Sequence, residues 1–176
     1  MLSLLNKKWI MRNPNLEVVG QISSALNLLP FVALLLVNRK IEGVDEAKVF
    51  IKAELLSLHD PFLINGMKLA VERILVAIQN KESIRLFCDY DVDGVTSAAF
   101  LTHFFRDIGV NVGYYLPDRM KEGYGLNEDA VRVIRKEGDS LMITADCGIT
   151  SVREVELAQS LGLDVIVTDH HQVGSE

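Results

Sequence analysis

Carboxylate and imidazole side chains are concentrated at three points in the second half of the chain, and each group directly follows a short apolar run. The runs lie at 84–88, 141–145 and 165–168. In order, the residues that follow them are Asp89, Asp91 and Asp93, then Asp146, then Asp169, His170 and His171. Oxygen and imidazole donors of these kinds bind divalent metal ions. One such group alone is also compatible with a solvated polar turn, but the three together predict a shared metal-binding cluster.

Short apolar segments alternate with amphipathic segments from residue 84 onward. Strands are predicted at 84–88, 111–115, 141–145 and 164–168, and helices at 95–108, 127–137 and 151–161. This alternation is typical of βαβ units and a parallel sheet. Asn127 is predicted to cap the second helix, and Ser151 with Glu154 has the spacing of a capping box before the third. Because parallel strands deliver their carboxyl ends to one edge of the sheet, the three groups are expected to meet there.

The first 80 residues instead show apolar positions at three- and four-residue spacing, which is typical of helices. Two helices are predicted at 18–29 and 31–38. A third is predicted after Asp45, which could cap it, and a fourth is predicted to begin at Asn65. We therefore predict an α/β protein in which an N-terminal helical region at 1–80 precedes a domain at 81–176 that is built on a parallel sheet.

The composition of the 176-residue chain, 49% hydrophobic and 24% charged, is that of a folded protein with a buried core. The longest apolar run, 26–37, contains Asn27 and Pro30 and is far shorter than the roughly 20 residues of a membrane-spanning helix. No secretory signal pattern is present at the start. Cys88 and Cys147 are expected to be reduced thiols packed at strand ends, with thiolate ligation as the alternative. We therefore expect a cytoplasmic protein with no membrane partner.

The net charge of −6 is unevenly distributed along the chain. Residues 1–83 carry ten Lys and Arg against eight Asp and Glu, whereas residues 84–176 carry eight against sixteen. Five of those sixteen are the site aspartates, and two divalent ions would offset four of their charges. The charge therefore does not exclude a substrate that carries phosphate.

The segment 89–94 contains three carboxylates at alternate positions, followed by a glycine. In extended backbone, alternate side chains point the same way, so all three are predicted to converge on one site. Gly94 would let the chain turn into the next helix. The backbone N–H groups around Val95, Thr96 and Ser97 would then form a helix N-terminus suited to a phosphate.

Four stretches together resemble the DHH phosphoesterase family, which is named for the tripeptide at 169–171. They are DYDVDGVTSAAFL at 89–101, PDRMKEGYGLNEDAV at 117–131, TADCGITS at 144–151 and VTDHH at 167–171. The N-terminal part resembles the RecJ branch of that family, which consists of single-strand-specific exonucleases that work from 5′ ends. Its matching stretches are WIMR at 9–12, LLLVNRKI at 34–41 and HDPFLINGMKLAVERI at 59–74. The resemblance covers nearly the whole chain.

The resemblance implies a role for each motif residue. Asp91 is implied on one metal ion and Asp93 on the other, with Asp146 as a ligand shared by both. His170 is implied as a ligand of the second metal. These four residues, with His171, form the implied catalytic set.

Other motif positions are implied to support this set. The wider family often has a histidine where this chain has Phe87, so that ligand is absent, and Asp89 is expected to take its place on a metal. His171 is implied as a contact to the phosphate or the transition state. Asp169 is expected to orient the histidines rather than to bind metal directly.

The loop before the helix capped by Asn127 is expected to border the path of the substrate. Arg119 is predicted to contact a phosphate and Tyr124 to line the groove, with a packed loop aromatic as the alternative for Tyr124. Thr96 and Ser97, at the predicted helix start, are also expected to contact the substrate.

The implied activity is two-metal hydrolysis of phosphodiesters. Two metal ions roughly 3.5–4 Å apart bind the phosphate oxygens, activate water and stabilise the departing alkoxide. Mixed carboxylate and imidazole ligands favour Mn²⁺, with Mg²⁺ as the alternative. The main hypothesis is 5′-to-3′ digestion of single-stranded DNA in repair and recombination. The alternatives are a phosphoesterase for small nucleotides or short oligonucleotides, and a non-catalytic module associated with DNA replication. The sequence identifies no protein partner.

Family members continue beyond the DHH motif with a further metal-ligand aspartate, a linker and a second, DHH-associated domain. We therefore expect this sequence to correspond to the front part of such a protein. The associated hypothesis is that it folds in part, binds metal weakly and has little exonuclease activity alone.

Overall fold

The computed structural model describes residue 10 and residues 12–174. Half of the predicted RecJ-like stretch at 9–12, residues 9 and 11, therefore lies outside the described residues. By its internal contacts the chain forms two compact units, residues 1–63 and residues 64–176. The predicted domain boundary at residue 80 differs from this division and stays a prediction. No helix within the described part of the chain is long and apolar enough to cross a membrane.

The described part of the first unit contains three helices and two short 3₁₀ segments. They are α1 (Leu16–Leu26), α2 (Pro30–Asn38) and α3 (Val44–Lys52), followed by Leu55–Ser57 and Pro61–Leu63. Asn15 begins α1 because its side chain accepts the N–H groups of Glu17 and Val18. The predicted cap of α3 is wrong: Gly43 occupies that position, and Asp45 lies in the first turn. The unit has its own apolar core between α1, α2 and α3.

The second unit alternates helices and strands. They are α4 (Met67–Asn80), β1 (Ile84–Cys88), α5 (Val92–Asp107), β2 (Val112–Tyr115), α6 (Glu128–Lys136), β3 (Leu141–Ala145), α7 (Val152–Ser160) and β4 (Asp164–Thr168). Each strand lies within one residue of its predicted bounds. Asn127 caps α6 as predicted, with Oδ1 accepting the N–H of Ala130 at 2.8 Å. The predicted capping box is not formed, because the Ser151 side chain makes no capping hydrogen bond.

The four strands form one parallel sheet in the order β2-β1-β3-β4. Helices α4 and α5 pack on one face through Ala77, Ala98 and Phe105. Helices α6 and α7 pack on the other face through Ala130, Ile134 and Ala158. β3 is buried along its whole length. The predicted fold class, an α/β protein with a parallel sheet and preceding helices, is confirmed.

The strand order reverses direction between β1 and β3. The chain leaves β1 through α5 toward β2, whereas it leaves β3 through α7 toward β4, and these two helices cover opposite faces. A crevice therefore opens beyond the carboxyl ends of β1 and β3, where ligands bind in open α/β sheets. The fold thus selects this edge as the candidate site.

At the amino ends of the strands, opposite the candidate site, charged and hydroxyl side chains form hydrogen bonds that connect β1 to the turn before β3. Asp139, which is 1% exposed, accepts from the Ser83 hydroxyl at 2.6 Å and from Nε of Arg85 at 2.9 Å. Arg85 also pairs with Glu137 at 2.5 Å. These bonds join the start of β1 to the turn before β3, so they support the strand pairing that aligns the site.

Gly94 allows the first turn of α5 to lie directly against the backbone of Asp89. A Cβ at this position would lie 2.1 Å from the Asp89 carbonyl oxygen, a contact that only a backbone shift could relieve. We predict that Gly94→Ala lowers the free energy of unfolding by about 1–3 kcal/mol or more, because a strand end and a helix start must separate. Urea unfolding followed by circular dichroism measures this.

The matched control is Gly20→Ala in α1, where a new Cβ would meet nothing within 4 Å. That change is expected to be neutral or to stabilise the helix by about 0.5–1 kcal/mol. Equal unfolding midpoints for Gly94→Ala and the unaltered chain would contradict the close approach.

Candidate metal centre

Two groups of donor atoms meet at the carboxyl edge of the sheet. Asp89 and Asp91, after β1, form one group with Asp146, after β3; Asp146 forms the other with His170 and His171, after β4. Within each group one ligand atom from every residue lies within 4.8 Å of the others. The structure therefore brings five of the seven predicted cluster residues into two sets that share Asp146.

Asp91 begins α5 as its N-cap. Its Oδ1 accepts the N–H of Asp93 at 2.9 Å and the N–H of Gly94 at 3.1 Å. The helix therefore starts at Val92, and the predicted extended alternation is wrong beyond Asp91. Asp93 lies in the first turn of α5 and in neither donor group; it borders the same cleft as Asp146.

Asp146 adopts a backbone conformation that favours glycine, with φ of 65°. Its N–H extends the pairing of β3 with β4 by donating to the Thr168 carbonyl at 3.0 Å. Non-glycine residues in this region are strained and cluster at functional sites, although aspartate tolerates the region better than most. This conformation turns the chain at the end of β3 and leaves Asp146 only 9% exposed, at the position that the two donor groups share.

The electrostatics of Asp91 and Asp146 differ. Hydrogen bonds from the N–H groups of Gly94 and Asp93 lower the pKa of Asp91. Burial raises the pKa of Asp146, and repulsion from Asp91 raises it further. The negative charge of Asp91 therefore lies close enough to Asp146 to disfavour the ionised form of that carboxyl group. A bound cation would remove that repulsion.

The two histidines are held by different carboxylates. Nε2 of His170 lies 2.9 Å from Oδ1 of Asp146. Nδ1 of His171 lies 2.6 Å from Oδ1 of Asp169, whose side chain is only 2% exposed. Burial alone would raise the pKa of Asp169, but the N–H groups of His171 and Ile149 lower it on balance. Because an ionised carboxylate only accepts, Nδ1 of His171 carries the hydrogen and Nε2 is directed away from Asp169.

An aromatic wall borders the donor groups, formed by Tyr90 and Tyr124. The Tyr124 hydroxyl lies 3.4 Å from Nε2 of His171, and its ring meets the Tyr90 ring edge to face at 6.4 Å. The Arg119 guanidinium lies over the Tyr90 ring, 5.3 Å from its centroid. Within the described residues Arg119 forms no ion pair. Both loop residues predicted to border the substrate path thus lie beside the donor groups.

A cleft of about 370 Å³ is lined in part by Asp146. Its lining includes Asp93, Thr96, Ser97 and His170. The Thr96 hydroxyl donates to the Val92 carbonyl at 2.7 Å, and Asp91 already occupies two N–H groups of the helix start. The substrate contacts of Thr96 and Ser97 therefore stay predictions that rest on their place in the cleft.

Three neighbours of the site have structural roles. Phe87 faces the core beneath α6 and stacks on Tyr115, with 5.5 Å between ring centroids. Burial raises the pKa of Cys88 to about 11 and that of Cys147 to about 12, so both are neutral packed thiols at neutral pH. Neither thiol belongs to a donor group among the described residues, so thiolate ligation is not supported.

The sequence reasoning missed Tyr90 and the acidic residue of its partner loop, Glu122. Tyr90 stands between Asp89 and Asp91, and nothing in its type or spacing distinguishes it from a packed aromatic residue. Its contact with Arg119 joins residues that are distant in sequence, and no local pattern could have revealed it. Glu122 has no spacing signal either.

Comparison with known proteins decides the family. The family model described as DHH family, N-terminal domain, matches residues 83–176. The chain belongs to the DHH family. That match begins just before β1 and includes every residue of both donor groups.

Similar DHH proteins share much of this chain. RecJ of Bacillus subtilis (strain 168), named a single-stranded-DNA-specific exonuclease, is 43% identical over 169 residues, which is 96% of this chain and 22% of that protein. RecJ of Escherichia coli (strain K12) is 36% identical over 149 residues, 84% of this chain and 25% of that protein. The chain thus spans about a quarter of the length of the curated relatives it matches.

Solved DHH structures agree with the fold. RecJ in complex with Mn²⁺ from Thermus thermophilus has a TM-score of 0.70 and 28% identity, covering 94% of this chain and 23% of that one. Exonuclease RecJ bound to manganese has a TM-score of 0.60 and 35% identity, covering 64% of this chain and 29% of that one.

Asp91 both caps α5 and belongs to a donor group, and its capping role can be tested on its own. Asp91→Ala should lower the free energy of unfolding of the metal-free protein by about 1 kcal/mol, because the cap of α5 is lost. Asp91→Asn should stay close to the unaltered protein, because its amide oxygen still caps the helix. Chemical unfolding in the presence of a chelator measures both. Equal losses in the two variants would contradict the capping role.

Proposed function

We propose that this chain carries the metal-binding part of a two-metal phosphodiesterase of RecJ type, which digests single-stranded DNA from its 5′ end. The observation that carries the proposal is the pair of donor groups that share Asp146 at the crevice between β1 and β3. The names of the relatives, single-stranded-DNA-specific exonucleases, support the substrate. No observation favours the small-nucleotide enzyme or the non-catalytic module.

The donor set fits divalent cations. One group offers three carboxylates, Asp89, Asp91 and Asp146, and the other offers Asp146 with two imidazoles. We infer that Asp146 is shared by two ions, and that mixed oxygen and nitrogen donors favour Mn²⁺, with Mg²⁺ also possible. When bound, such cations supply Lewis-acid polarisation of the phosphate and neutralise the carboxylate charges.

We assign supporting roles to the residues around the donors. Asp169 fixes the tautomer and direction of His171, so that Nε2 faces a metal or a phosphate. Asp93 borders the cleft and is the remaining candidate carboxylate for the second ion. Arg119, with no ion pair within the described residues, presents its N–H groups to a phosphate. Tyr124 lines the same side.

The biological setting follows from the substrate. We infer a role in DNA repair and recombination. The two buried free cysteines support a reducing, cytoplasmic location.

Metal binding should stabilise the fold by mass action. At a hundredfold excess of Mn²⁺ over its dissociation constant, the expected gain is about 2.7 kcal/mol, because the ion binds only the folded donor set. Thermal unfolding monitored with and without Mn²⁺ measures it.

The gain should disappear in Asp146→Asn, which keeps the backbone conformation that asparagine tolerates and removes the shared charge. Asp107→Asn, an exposed aspartate at the end of α5, is the matched control and should keep the gain. A Mn²⁺-dependent gain that survives Asp146→Asn would place the metal elsewhere.

Single-stranded DNA should bind in a metal-dependent manner. Anisotropy of a fluorescent oligonucleotide is expected to show binding with Mn²⁺ that weakens at least about tenfold in Asp91→Asn, because the cation links the protein to the phosphates. Any cleavage should release labelled mononucleotide from a 5′-labelled strand before a 3′-labelled one.

Substrate length and strandedness decide between the candidate functions. Cleavage of a dinucleotide without binding of longer strands would favour the small-nucleotide enzyme. Binding that needs neither Mn²⁺ nor Asp91 would favour a non-catalytic module. Equal binding of duplex and single strands would overturn the proposed substrate.

A further inference from the structure

Two carboxylates shape the connection between β2 and α6. That of Asp118 makes a local turn by accepting the N–H of Met120 at 2.9 Å, whereas that of Glu122 reaches both ends of the connection. Its Oε1 accepts the backbone N–H of Asp118 at 2.8 Å. Its Oε2 accepts the hydroxyl of Tyr115 at 2.7 Å and the side-chain amide N–H of Asn127 at 3.4 Å. Burial alone would raise the pKa of Glu122, but these three donors lower it on balance.

The donors to Glu122 belong to both ends of the connection. Tyr115 is the last residue of β2 and stacks on Phe87 in the core. Asn127 is the N-cap of α6. The Glu122 carboxylate therefore links the end of β2 to the start of α6, and it holds the two ends of the intervening loop together.

Packing holds the ends of this loop, where Pro117 and Leu126 are buried, but not its tip. Met120 at its tip is 89% exposed, and the Lys121 side chain is 82% exposed. Lys121 pairs with Asp118, and Glu122 forms no ion pair within the described part of the chain. Glu122 thus serves only neutral donors of the loop and its two ends.

The same loop carries two residues to the candidate metal centre. Arg119 lies over Tyr90, and Tyr124 meets His171. Tyr124 stands between Gly123 and Gly125, whose φ angles of 81° and 79° are open to glycine. Such a turn has no stiffness of its own, so the direction of Tyr124 depends on what fixes the loop around it.

We propose that Glu122 is a positioning residue, which sets Arg119 against Tyr90 and Tyr124 against His171 at the mouth of the metal centre. What those two side chains then contact, the phosphates and sugars of a nucleic acid, rests on the proposed function. Glu122 itself contacts no substrate and acts only through the loop.

The first arm of the experiment measures the loop without any ligand. Amide hydrogen exchange of residues 117–126 is compared between the unaltered chain and Glu122→Gln, in which an N–H₂ group replaces one acceptor oxygen. Exchange of the Asp118 N–H should accelerate at least about tenfold, because a hydrogen bond to a charged group is lost or weakened. Glu128→Gln, which alters an exposed glutamate that pairs with Arg132, is the matched control and should not change the loop.

The second arm measures Mn²⁺-dependent binding of a fluorescent, 5′-phosphorylated single strand. Glu122→Gln and Arg119→Ala should each weaken binding about five- to tenfold. The double variant should lose less affinity than the product of the two single losses, because the part of the Glu122 effect that acts through Arg119 is already lost in Arg119→Ala. The Mn²⁺-induced thermal shift should be the same in all of them. If Glu122→Gln does not fold, both arms are repeated with Tyr115→Phe, which removes one hydrogen-bond donor to Glu122 and keeps the stacking on Phe87.

The outcomes separate the two proposals. Unchanged exchange in the loop overturns the positioning role, whatever the binding shows. Faster exchange together with no DNA binding by the unaltered chain supports the positioning role and overturns the proposed function. Faster exchange with additive losses in the double variant overturns action through Arg119. Faster exchange with non-additive losses supports both.

Discussion

Asp89 and Asp146 can share a site only because the strands that precede them, β1 and β3, are hydrogen-bonded neighbours whose connections leave in opposite directions. Parallel pairing aligns Cys88 with Ala145, so the first residue after each strand enters the same crevice. A register shift of one residue would turn one of these side chains onto the other face of the sheet. The central register is therefore the constraint on which the donor groups, the cleft and the aromatic wall all depend.

The site lowers the stability of the fold, and the sheet beneath it compensates for that loss. Three carboxylates lie within one donor group, burial raises the pKa of Asp146, and its backbone adopts a strained conformation. Two features of the same segments offset this. β3 is buried along its whole length, and Asp91 accepts two N–H groups that α5 would otherwise leave unpaired. A carboxylate that caps a helix is both held in place and stabilised in its charged form, which is the state that binds a cation.

Local signals predicted the elements well and the contacts between elements poorly. Buried runs such as 141–145 identify strands because their length and flanking polar residues leave few alternatives. The motif carboxylates were found because they follow those strands. The start of α5 was misplaced, since an aspartate after a strand suits an extended segment as well as a cap. Tyr90 and Arg119 were not joined, because 28 intervening residues separate them and only the folded chain brings them together.

Side chains reach this site by two physical routes, and the routes differ in what keeps them accurate. The side chains that follow β1, β3 and β4 are placed by the sheet, because many backbone hydrogen bonds between the strands fix the strand ends. Arg119 and Tyr124 come from an exposed loop whose glycines permit many conformations. Accuracy there must come from a few strong, local bonds, and a half-buried carboxylate with three donors is such an arrangement. The candidate metal ligands are thus fixed by the sheet, whereas Arg119 and Tyr124 are fixed by the hydrogen bonds of Glu122. Changes in the loop can therefore alter what enters the site without disturbing the residues that hold the metal.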